Sequence, residues 1–323
     1  MASSFRLVNY SLRPAKAVER KMLCDLFRRL EPFGRVESYR YVGFGSIYFS
    51  DFHLFHQVLG ICDMLSIEKE ESNWPRFDFN KPFRCVDLKL GHSNAVLPTL
   101  DWSKRSLVWL DYDGRLNKEV LADIATFCSK AVSGSIVLVS VNAEPERAAS
   151  GASPTEQSET RLKAFAEAIG EEKVPVDVTG ADLRAGGFAS VCRRVIDNEV
   201  HTLLNARNGP LAPEHKLSYN QLVHLTYADD AQMLTVGGLV FEHHEQGLVD
   251  KCAFHELPFV RHQAEPVHVR APKFTQKEIR TLNVKLPELT TDKAVLPGVP
   301  ETDVAEYAKI YRYYPSFGEV LLG

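Results

Sequence analysis

The sequence predicts an α/β fold: a doubly wound, mostly parallel sheet with an antiparallel last hairpin, an N-terminal helix and a C-terminal helical extension. Short apolar runs alternate with helical segments, which is the order of a parallel sheet built with crossover helices. The runs are almost uniformly apolar, as expected of strands covered on both faces. A glycine turn, Tyr41-Val42-Gly43-Phe44-Gly45-Ser46, separates the first strand from the next helix.

The first half of the chain supplies most of the predicted sheet. Residues 13–30 place apolar side chains at helical spacing, and Pro14 suits a first helical position. Apolar runs predict the strands, and amphipathic spacing predicts the helices between them. We therefore expect strand 38–42, helix 47–59, strands 62–67, 83–86 and 106–110, helix 118–132 and strand 134–141.

The second half is less regular. The small, polar segment 143–160 predicts a mobile loop after the fifth strand, in a position to act as a lid. Two helices are then expected at 161–169 and 189–205, followed by a hairpin at 221–241. Of two further helices, one begins at the capping box at Thr275 and the other covers 301–314. We divide the chain into an N-terminal helical segment (1–34), a sheet domain (35–245) and a C-terminal extension packed on that domain (246–323).

Composition excludes several classes of protein. The 323 residues are 45% hydrophobic and can bury a full core, while a net charge of -4 gives no global attraction to nucleic acid, although a local basic patch is compatible with it. No apolar run is long enough to span a membrane and no signal-peptide pattern is present, so we expect a cytoplasmic protein without membrane contact. The sequence leaves open a homo-oligomer or a protein partner.

The histidines and cysteines show no recognised ligand spacing. The six cysteines form no C-x-x-C pair. His53 and His56 lie near Asp51, and His243 adjoins His244, but neither pair has a further ligand at a spacing typical of zinc sites. The sequence therefore predicts no metal site.

The glycine turn and the acid that follows it predict a nucleotide-type site. Gly43, Phe44, Gly45 and Ser46 come after a strand, and Ser46 is expected to open a helix whose N-H groups face a ligand. Glu68 ends the second strand about twenty residues later, where an acid in this fold binds both ribose hydroxyls. The alternative is a tight turn followed by a solvated charged segment that includes Lys69.

The third and fourth strands end in further polar groups. Asp87 and Leu88 follow the third strand, and the segment after them, with His92, is in a position to line the same crevice. Asp111, Tyr112 and Asp113 end the fourth strand and offer carboxylates and a phenol, either as general bases or as a cap for the next helix. We rank the two aspartates first as bases.

A basic helix face and an aromatic cluster lie outside these turns. Arg13, Lys16 and Arg20 lie on the N-terminal helix, and the last two share a face, so they are candidates to hold an anionic group of the substrate. An ordinary solvated face is the alternative. A cluster of tyrosines, Tyr307, Tyr311, Tyr313 and Tyr314, is more typical of a packed helix end than of a stacking site.

The ordered motifs resemble those of class I S-adenosylmethionine-dependent methyltransferases, which have a Rossmann-like sheet. More narrowly, the segment from Arg13 to Met22 and the one from Tyr307 to Pro315 resemble a bacterial O-methyltransferase family. The resemblance implies that Gly43 and Gly45 flank the methionine part of the cofactor and that Asp111 lies beside the methyl group. It further implies that Glu68 binds ribose and that Asp87 and Leu88 contact adenine.

The expected function is S-adenosylmethionine-dependent O-methylation of a small or nucleotide-like substrate. The fourth strand ends in Asp-Tyr-Asp-Gly, whereas base-methylating enzymes usually have Asn/Asp-Pro-Pro-aromatic, so base N-methylation is disfavoured. One alternative is a non-catalytic module that binds the cofactor or a nucleotide and acts through protein partners. A second is a nicotinamide oxidoreductase, although the third glycine of a dinucleotide turn is missing.

Overall fold

The computed structural model describes residues 13–146, 153–288 and 296–315. Within these ranges the strands are β1 Arg40–Gly43, β2 Asp63–Glu68, β3 Val86–Leu90, β4 Ser106–Asp111, β5 Ser135–Asn142, β6 Leu217–Ala228, β7 Gln232–Glu242 and β8 Val267–Val269. The helices are α1 Pro14–Arg28, α2 Ser50–Leu59, α3 Trp74–Phe79, α4 Ser93–Val96, α5 Lys118–Lys130, α6 Pro154–Ile169, α7 Phe188–Asn208, α8 Gln246–Lys251, α9 Gln276–Asn283 and α10 Glu301–Ile310.

The eight strands form one sheet in the order β3-β2-β1-β4-β5-β7-β6-β8. Neighbouring strands from β3 to β5 pair in parallel, and β7 pairs antiparallel with both β5 and β6. The predicted fold class is confirmed. The hairpin enters the sheet with its second strand next to β5, and the last position belongs to β8, a strand of the C-terminal extension that the sequence did not predict.

Two apolar cores cover the sheet, one on each face. Side chains alternate along the central strands: Tyr41 and Trp109 face one core, and Val42 and Val108 face the other. The first core contains α1, α2 and residues around Tyr313, while the second contains α5 and α7. Because both faces are buried, the central strands are apolar at nearly every position.

The hairpin turn holds the N-terminus of α1. Asp229, in the turn between β6 and β7, accepts hydrogen bonds from the N-H groups of Ala15 at 3.0 Å and Lys16 at 3.1 Å. These are two of the donors that a helix leaves without an intrahelical partner. The turn therefore fixes where α1 begins above the sheet.

Three local predictions need correction. Strand β3 runs over Val86–Leu90, later than the predicted 83–86, because it is an edge strand with alternating burial. Residues 154–160 are helical, since Ser153 and Glu156 form a capping box that opens α6. The predicted loop is thus shorter, and its residues 147–152 lie outside the described residues.

The C-terminal extension packs against the rest of the chain. The predicted capping box at Thr275 is present and opens α9. The tyrosine cluster is a packed helix end: the rings of Tyr307 and Tyr314 meet edge to face at 5.0 Å, and the Tyr313 hydroxyl donates to Asp25 at 3.0 Å. Among the described residues, no helix has the length and apolarity that a membrane span requires.

Candidate active site

A cavity of about 300 Å³ lies at the carboxyl ends of β1, β2 and β4. In doubly wound sheets this is the edge where ligands bind, and small-molecule sites have volumes from roughly 300 to 1,000 Å³. Ten of the predicted site residues line the cavity: Arg20, Phe44, Gly45, Ser46, Glu68, Lys69, His92, Asp111, Tyr112 and Asp113. The cavity lining does not include five others, namely Arg13, Lys16, Gly43, Asp87 and Leu88.

The glycine turn is held by hydrogen bonds to β2. Gly45 donates its N-H to Ser66 Oγ at 2.8 Å. A Cβ atom at Gly45 would lie 2.4 Å from the Phe49 ring, so only glycine fits. Ser46 does not open the helix as predicted, because Ser46 and Phe49 both have left-handed φ values, 54° and 45°, and α2 begins only after them.

Glu68 is the residue that joins this turn to the end of β2. Its Oε1 accepts the Ser46 N-H at 2.9 Å and the Ser66 hydroxyl at 2.8 Å. Burial raises the pKa of Glu68 to about 7, although these hydrogen bonds lower it. Near neutral pH the carboxyl group is therefore poised between its two protonation states, and a ligand that donates hydrogen bonds to it favours the ionised one.

Asp111 is held by a lysine buried beneath it. Lys16 Nζ lies 2.7 Å from Asp111 Oδ1 and 2.8 Å from Glu19 Oε2. It donates to the Tyr227 hydroxyl at 3.0 Å and lies 4.2 Å from the centre of the Trp109 ring. Burial would raise the pKa of Asp111, but the charge and hydrogen bond of Lys16, together with the charges of Arg20 and Arg13, more than offset this, so the pKa lies below its ordinary value. The carboxylate at the cavity is therefore ionised at neutral pH.

The predicted basic face of α1 needs correction. Lys16 is 0% exposed, so it acts on the cavity through Asp111 and cannot hold a substrate group itself. Arg13 lies at the beginning of α1, with its Nε 3.8 Å from Asp229. Of the three residues predicted to bind substrate, only Arg20 lines the cavity.

Asp51 is a cavity residue that the sequence analysis did not assign to the site. Its Oδ2 accepts a hydrogen bond from the Tyr41 hydroxyl. Burial raises the pKa of Asp51, against the opposing charge of Arg20. Gly43 makes room for this contact, since a Cβ atom there would lie 2.7 Å from the Tyr41 hydroxyl oxygen. Gly43 thus allows the Tyr41–Asp51 contact beside the cavity, although it does not line the cavity itself.

Tyr112 contributes a wall of the cavity. Its hydroxyl donates to the buried carboxylate of Asp123, whose other oxygen accepts from Asn94 at 2.6 Å. Burial and the neighbouring Asp123 raise the pKa of Tyr112 far above its ordinary value. Its ring meets the Phe44 ring edge to face at 5.2 Å. This arrangement disfavours Tyr112 as a base and makes it an aromatic wall.

The segment after β3 lines the cavity, as expected, but the two residues predicted to contact adenine do not. Asp87 and Leu88 lie inside the strand, where Asp87 is exposed and Leu88 packs against the first core. Because β3 continues to Leu90, the residues at the cavity are Gly91, His92 and Ser93. The expected contact of Asp87 and Leu88 with adenine therefore loses its basis, and the segment after β3 occupies that position.

The rim beyond β4 combines an acid and a cation. Asp113 and Arg115 both line the cavity and are exposed. Arg115 Nε donates to the carbonyl oxygen of Glu144, 2.7 Å away, in the segment that follows β5. The rim is thus connected to the part of the chain that was predicted to be a lid.

Several other lining residues have no signal in the sequence that marks them as site residues. Examples are Tyr48, Ser50, Phe77, Asn117 and Glu119. Asn117 also caps α5, because its side chain accepts the Val120 N-H at 3.0 Å. Only its position after the fourth strand, where a polar residue opens a helix, could have indicated it.

Solved structures with a similar fold are distant. Trm1 from Pyrococcus horikoshii, solved with S-adenosyl-L-methionine, is 10% identical over 72% of this chain and 56% of its own, with a TM-score of 0.45. The O-methyltransferase TomG from Streptomyces achromogenes is 15% identical over 69% and 80%, with a TM-score of 0.39. The chain spans only about half the length of several matched structures, for example 54% of CalS10 from Micromonospora echinaspora (16% identity, 42% of this chain, TM-score 0.31).

The sequence comparisons are more decisive. No curated protein matches the chain. A family model with the description "Putative O-methyltransferase" matches residues 8–322, which is almost the entire chain. The family depends on S-adenosylmethionine, so the predicted family and cofactor are confirmed. The chain belongs to this methyltransferase family.

Proposed function

We propose that this protein transfers a methyl group from S-adenosylmethionine to a hydroxyl oxygen of a small or nucleotide-like substrate. The observation that supports the proposal is a pair of carboxylates, Asp111 and Asp113, that border the cavity at the end of β4. Lys16 keeps Asp111 ionised, whereas Asp113 is exposed at the rim. Asp111 therefore suits binding of a cationic group, and Asp113 suits removal of a proton from the substrate.

The charges along the cavity fit the cofactor's polar groups. Asp111 would bind the α-ammonium group of the methionine part, Arg20 would bind its carboxylate, and Glu68 would accept hydrogen bonds from the ribose hydroxyls. Ser46 Oγ is buried at the cavity and has no hydrogen-bond partner among the described residues, so it too is a group that a polar ligand would satisfy. Phe44 adds an apolar wall.

When bound, the cofactor would supply a methyl group on a sulfonium sulfur, which departs as a neutral thioether and is a good leaving group. The protein's main tasks are then to align the acceptor oxygen with that methyl group and to exclude water. The rings of Phe44 and Tyr112 meet edge to face and form an aromatic part of the cavity lining. Arg115, which donates to the Glu144 carbonyl, lies at the rim.

Removal of the hydroxyl proton is the step for which a side chain is required. Asp111 is a weak base because the Lys16 ammonium lowers its pKa. We therefore assign Asp113 as the proton acceptor and Asp111 as a binding residue. Lys69 and Arg115 border the same cavity, and their charges favour a substrate that bears an anionic group such as a carboxylate or phosphate.

The test is turnover by the purified protein with methyl-labelled S-adenosylmethionine and a panel of hydroxyl-bearing metabolites, with the products identified by mass spectrometry. We expect a methylated hydroxyl and S-adenosylhomocysteine in equal amounts. Asp113→Asn should lower kcat by roughly 100-fold, the lower end of what a general base contributes, while the cofactor Kd stays within about twofold of the wild-type value. Asp111→Asn should mainly weaken cofactor binding.

Asp250→Asn is the control for both variants, because Asp250 is exposed on α8 and does not line the cavity. Methylation at a nitrogen of the acceptor would contradict the assignment of a hydroxyl. Cofactor binding without any turnover in cell extract would favour a binding module that acts through partners. Tight binding of NAD without affinity for S-adenosylmethionine would contradict the whole proposal.

A further inference from the structure

Two cysteines and a histidine that are far apart in the sequence meet at the edge of the sheet opposite the cavity. Cys62 and Cys85 immediately precede β2 and β3, and His56 lies in the last turn of α2. The ligand atoms of the three residues all lie within 4.8 Å of one another. The cavity is at the carboxyl ends of the strands, whereas this cluster is at their amino ends, so it belongs to a different site.

We propose that His56, Cys62 and Cys85 bind a soft divalent metal ion of the zinc class. His56 Nδ1 lies 3.5 Å from Cys85 Sγ and 3.8 Å from Cys62 Sγ. A nitrogen and a sulfur bound to one tetrahedral zinc ion, with bonds of about 2.0 and 2.3 Å, are roughly 3.5 Å apart. The described positions thus have the spacing of a ligand set.

The chemistry of the three groups selects the class of metal. Two thiolates and an imidazole favour zinc and related soft ions, whereas magnesium and calcium require oxygen ligands. Without a metal, His56 Nδ1 donates a hydrogen bond to the carbonyl oxygen of Ile61 at 2.8 Å, and metal binding would replace this hydrogen bond. Binding releases one proton from each thiol, and the imidazole moves its proton from Nδ1 to Nε2.

The surroundings of the cluster orient the imidazole and admit the metal. The Phe83 ring packs against His56, with the ring centres 4.2 Å apart. Cys62 is exposed, and Cys85 and His56 are half-buried, so an ion can enter from solvent. Burial and the neighbouring Cys62 raise the pKa of the Cys85 thiol. A bound cation would offset both effects, because it stabilises the thiolates directly.

A second group of ligand-type residues is less suited to a metal. His215 Nδ1 lies 2.6 Å from Glu242 Oε2, and His244 Nδ1 lies 3.4 Å from the same oxygen. The two histidines are exposed, and one carboxylate oxygen accounts for both contacts. This group is explained as histidine-carboxylate pairs at the surface.

The test uses the reduced, full-length protein after treatment with a chelator. Cobalt(II) is titrated as a spectroscopic probe, because thiolate ligands produce charge-transfer absorption and a tetrahedral site produces visible bands. We expect one cobalt per chain, with absorption that zinc abolishes. Cys62→Ser and Cys85→Ser should each lower zinc affinity at least about 100-fold, since loss of even an outer-shell partner typically costs 10–100-fold.

His53→Gln is the matched control: His53 lies on the same helix and also stacks on Phe83, at 5.2 Å, but is not part of the ligand set. This variant should retain the cobalt spectrum. The same spectrum in a Cys62→Ser/Cys85→Ser double variant, no thiolate absorption in the wild type, or a Cys62–Cys85 disulfide found by mass spectrometry under these reducing conditions would each overturn the proposal. If the Cys85→Ser variant does not fold, the zinc affinity of Cys62→Ser, a substitution at an exposed position, decides the test.

The metal site is independent of the proposed methyl transfer. Cofactor affinity measured by calorimetry should be the same with and without zinc, because the cluster and the cavity lie at opposite edges of the sheet. The melting temperature should rise with zinc concentration in the wild type and not in Cys62→Ser, since a ligand that binds only the folded state stabilises it. A zinc-dependent rise of equal size in both proteins would contradict the site.

Discussion

Individual ionisable residues set the electrostatics of the cavity. Lys16 is buried beneath Asp111 and keeps that carboxylate charged, whereas Glu68, held by Ser46 and Ser66, has a pKa near neutrality. Removal of one member of a buried ion pair typically costs about 3–5 kcal/mol, because the other charge is left without compensation. Lys16 is thus a positioning residue, and it was predicted for a role that its burial excludes.

Glu68 leads to a prediction about pH. Ribose hydroxyls donate to the ionised carboxylate, so affinity for S-adenosylmethionine should rise roughly tenfold between about pH 6 and about pH 8, the range around the raised pKa. Glu68→Gln should bind more weakly and abolish this dependence. Calorimetry at several pH values measures both effects. Glu31→Gln, at an exposed position, should behave like the wild type.

The sign of the linked stability change follows from the same shift. In the free protein Glu68 retains its proton to higher pH than a glutamate in the unfolded chain, whose pKa is about 4.5, so stability falls as the pH rises from about 4.5 through about 7. Urea unfolding should show this decline, and Glu68→Gln should reduce it. An equal decline in both proteins would show that other groups cause it.

At the scale of elements, the junctions at the carboxyl ends of the strands create the site. The β1-α2 turn depends on two residues with left-handed backbone, Ser46 and Phe49, and on Gly45, which has no space for a side chain. Because these constraints come from neighbouring elements, the helix begins at Ser50 and not directly after the glycines. The turn is therefore built by β2 and by the Phe49 ring as much as by its own sequence.

Gly45→Ala should destabilise the protein. The added methyl group would lie 2.4 Å from the Phe49 ring and 2.8 Å from Ser66 Oγ, and overpacking of this kind costs roughly 1–3 kcal/mol. Urea unfolding measures the change in free energy. Gly247→Ala is the control, because a Cβ atom there meets nothing within 4 Å. Equal stability of the two variants would mean that the turn relaxes without cost.

At the scale of the whole molecule, the first helix and the last hairpin meet over the site. Asp229 in the hairpin turn accepts two N-H groups of α1, and α1 brings Lys16 and Arg20 to Asp111 and the cavity. Residues more than 200 positions apart thus fix one another. Segments far apart in the sequence therefore both contribute to the candidate site.

Asp229→Ala should lower stability by about 0.5–2 kcal/mol, the usual range for loss of a helix N-cap. It should also weaken cofactor binding, because the start of α1 is no longer fixed above Asp111. Thermal unfolding and calorimetry measure the two effects. Asp230→Ala is the neighbouring control at an exposed position and should change neither. Similar losses in both variants would contradict a specific role for Asp229.

Local chemistry in the sequence determined the order of strands and helices and the acids that end β2 and β4. Glu68 and Asp111 were identified because apolar runs stop at them, and a parallel sheet brings such ends to one edge. Capping boxes and apolar periodicity are likewise local signals. The edge strand β3 was misplaced because its alternating residues, exposed on one side, produce no continuous apolar run.

Only the tertiary structure decided which residues meet across these elements. Lys16 and Asp111 are 95 positions apart, and Asp51 reaches the cavity from the first turn of α2. His56 meets two cysteines that precede different strands. The spacing of residues along the chain does not predict such contacts, because they depend on how helices are rotated and packed on the sheet. The sequence thus determined where the site is, and packing decided the state and partners of its charges.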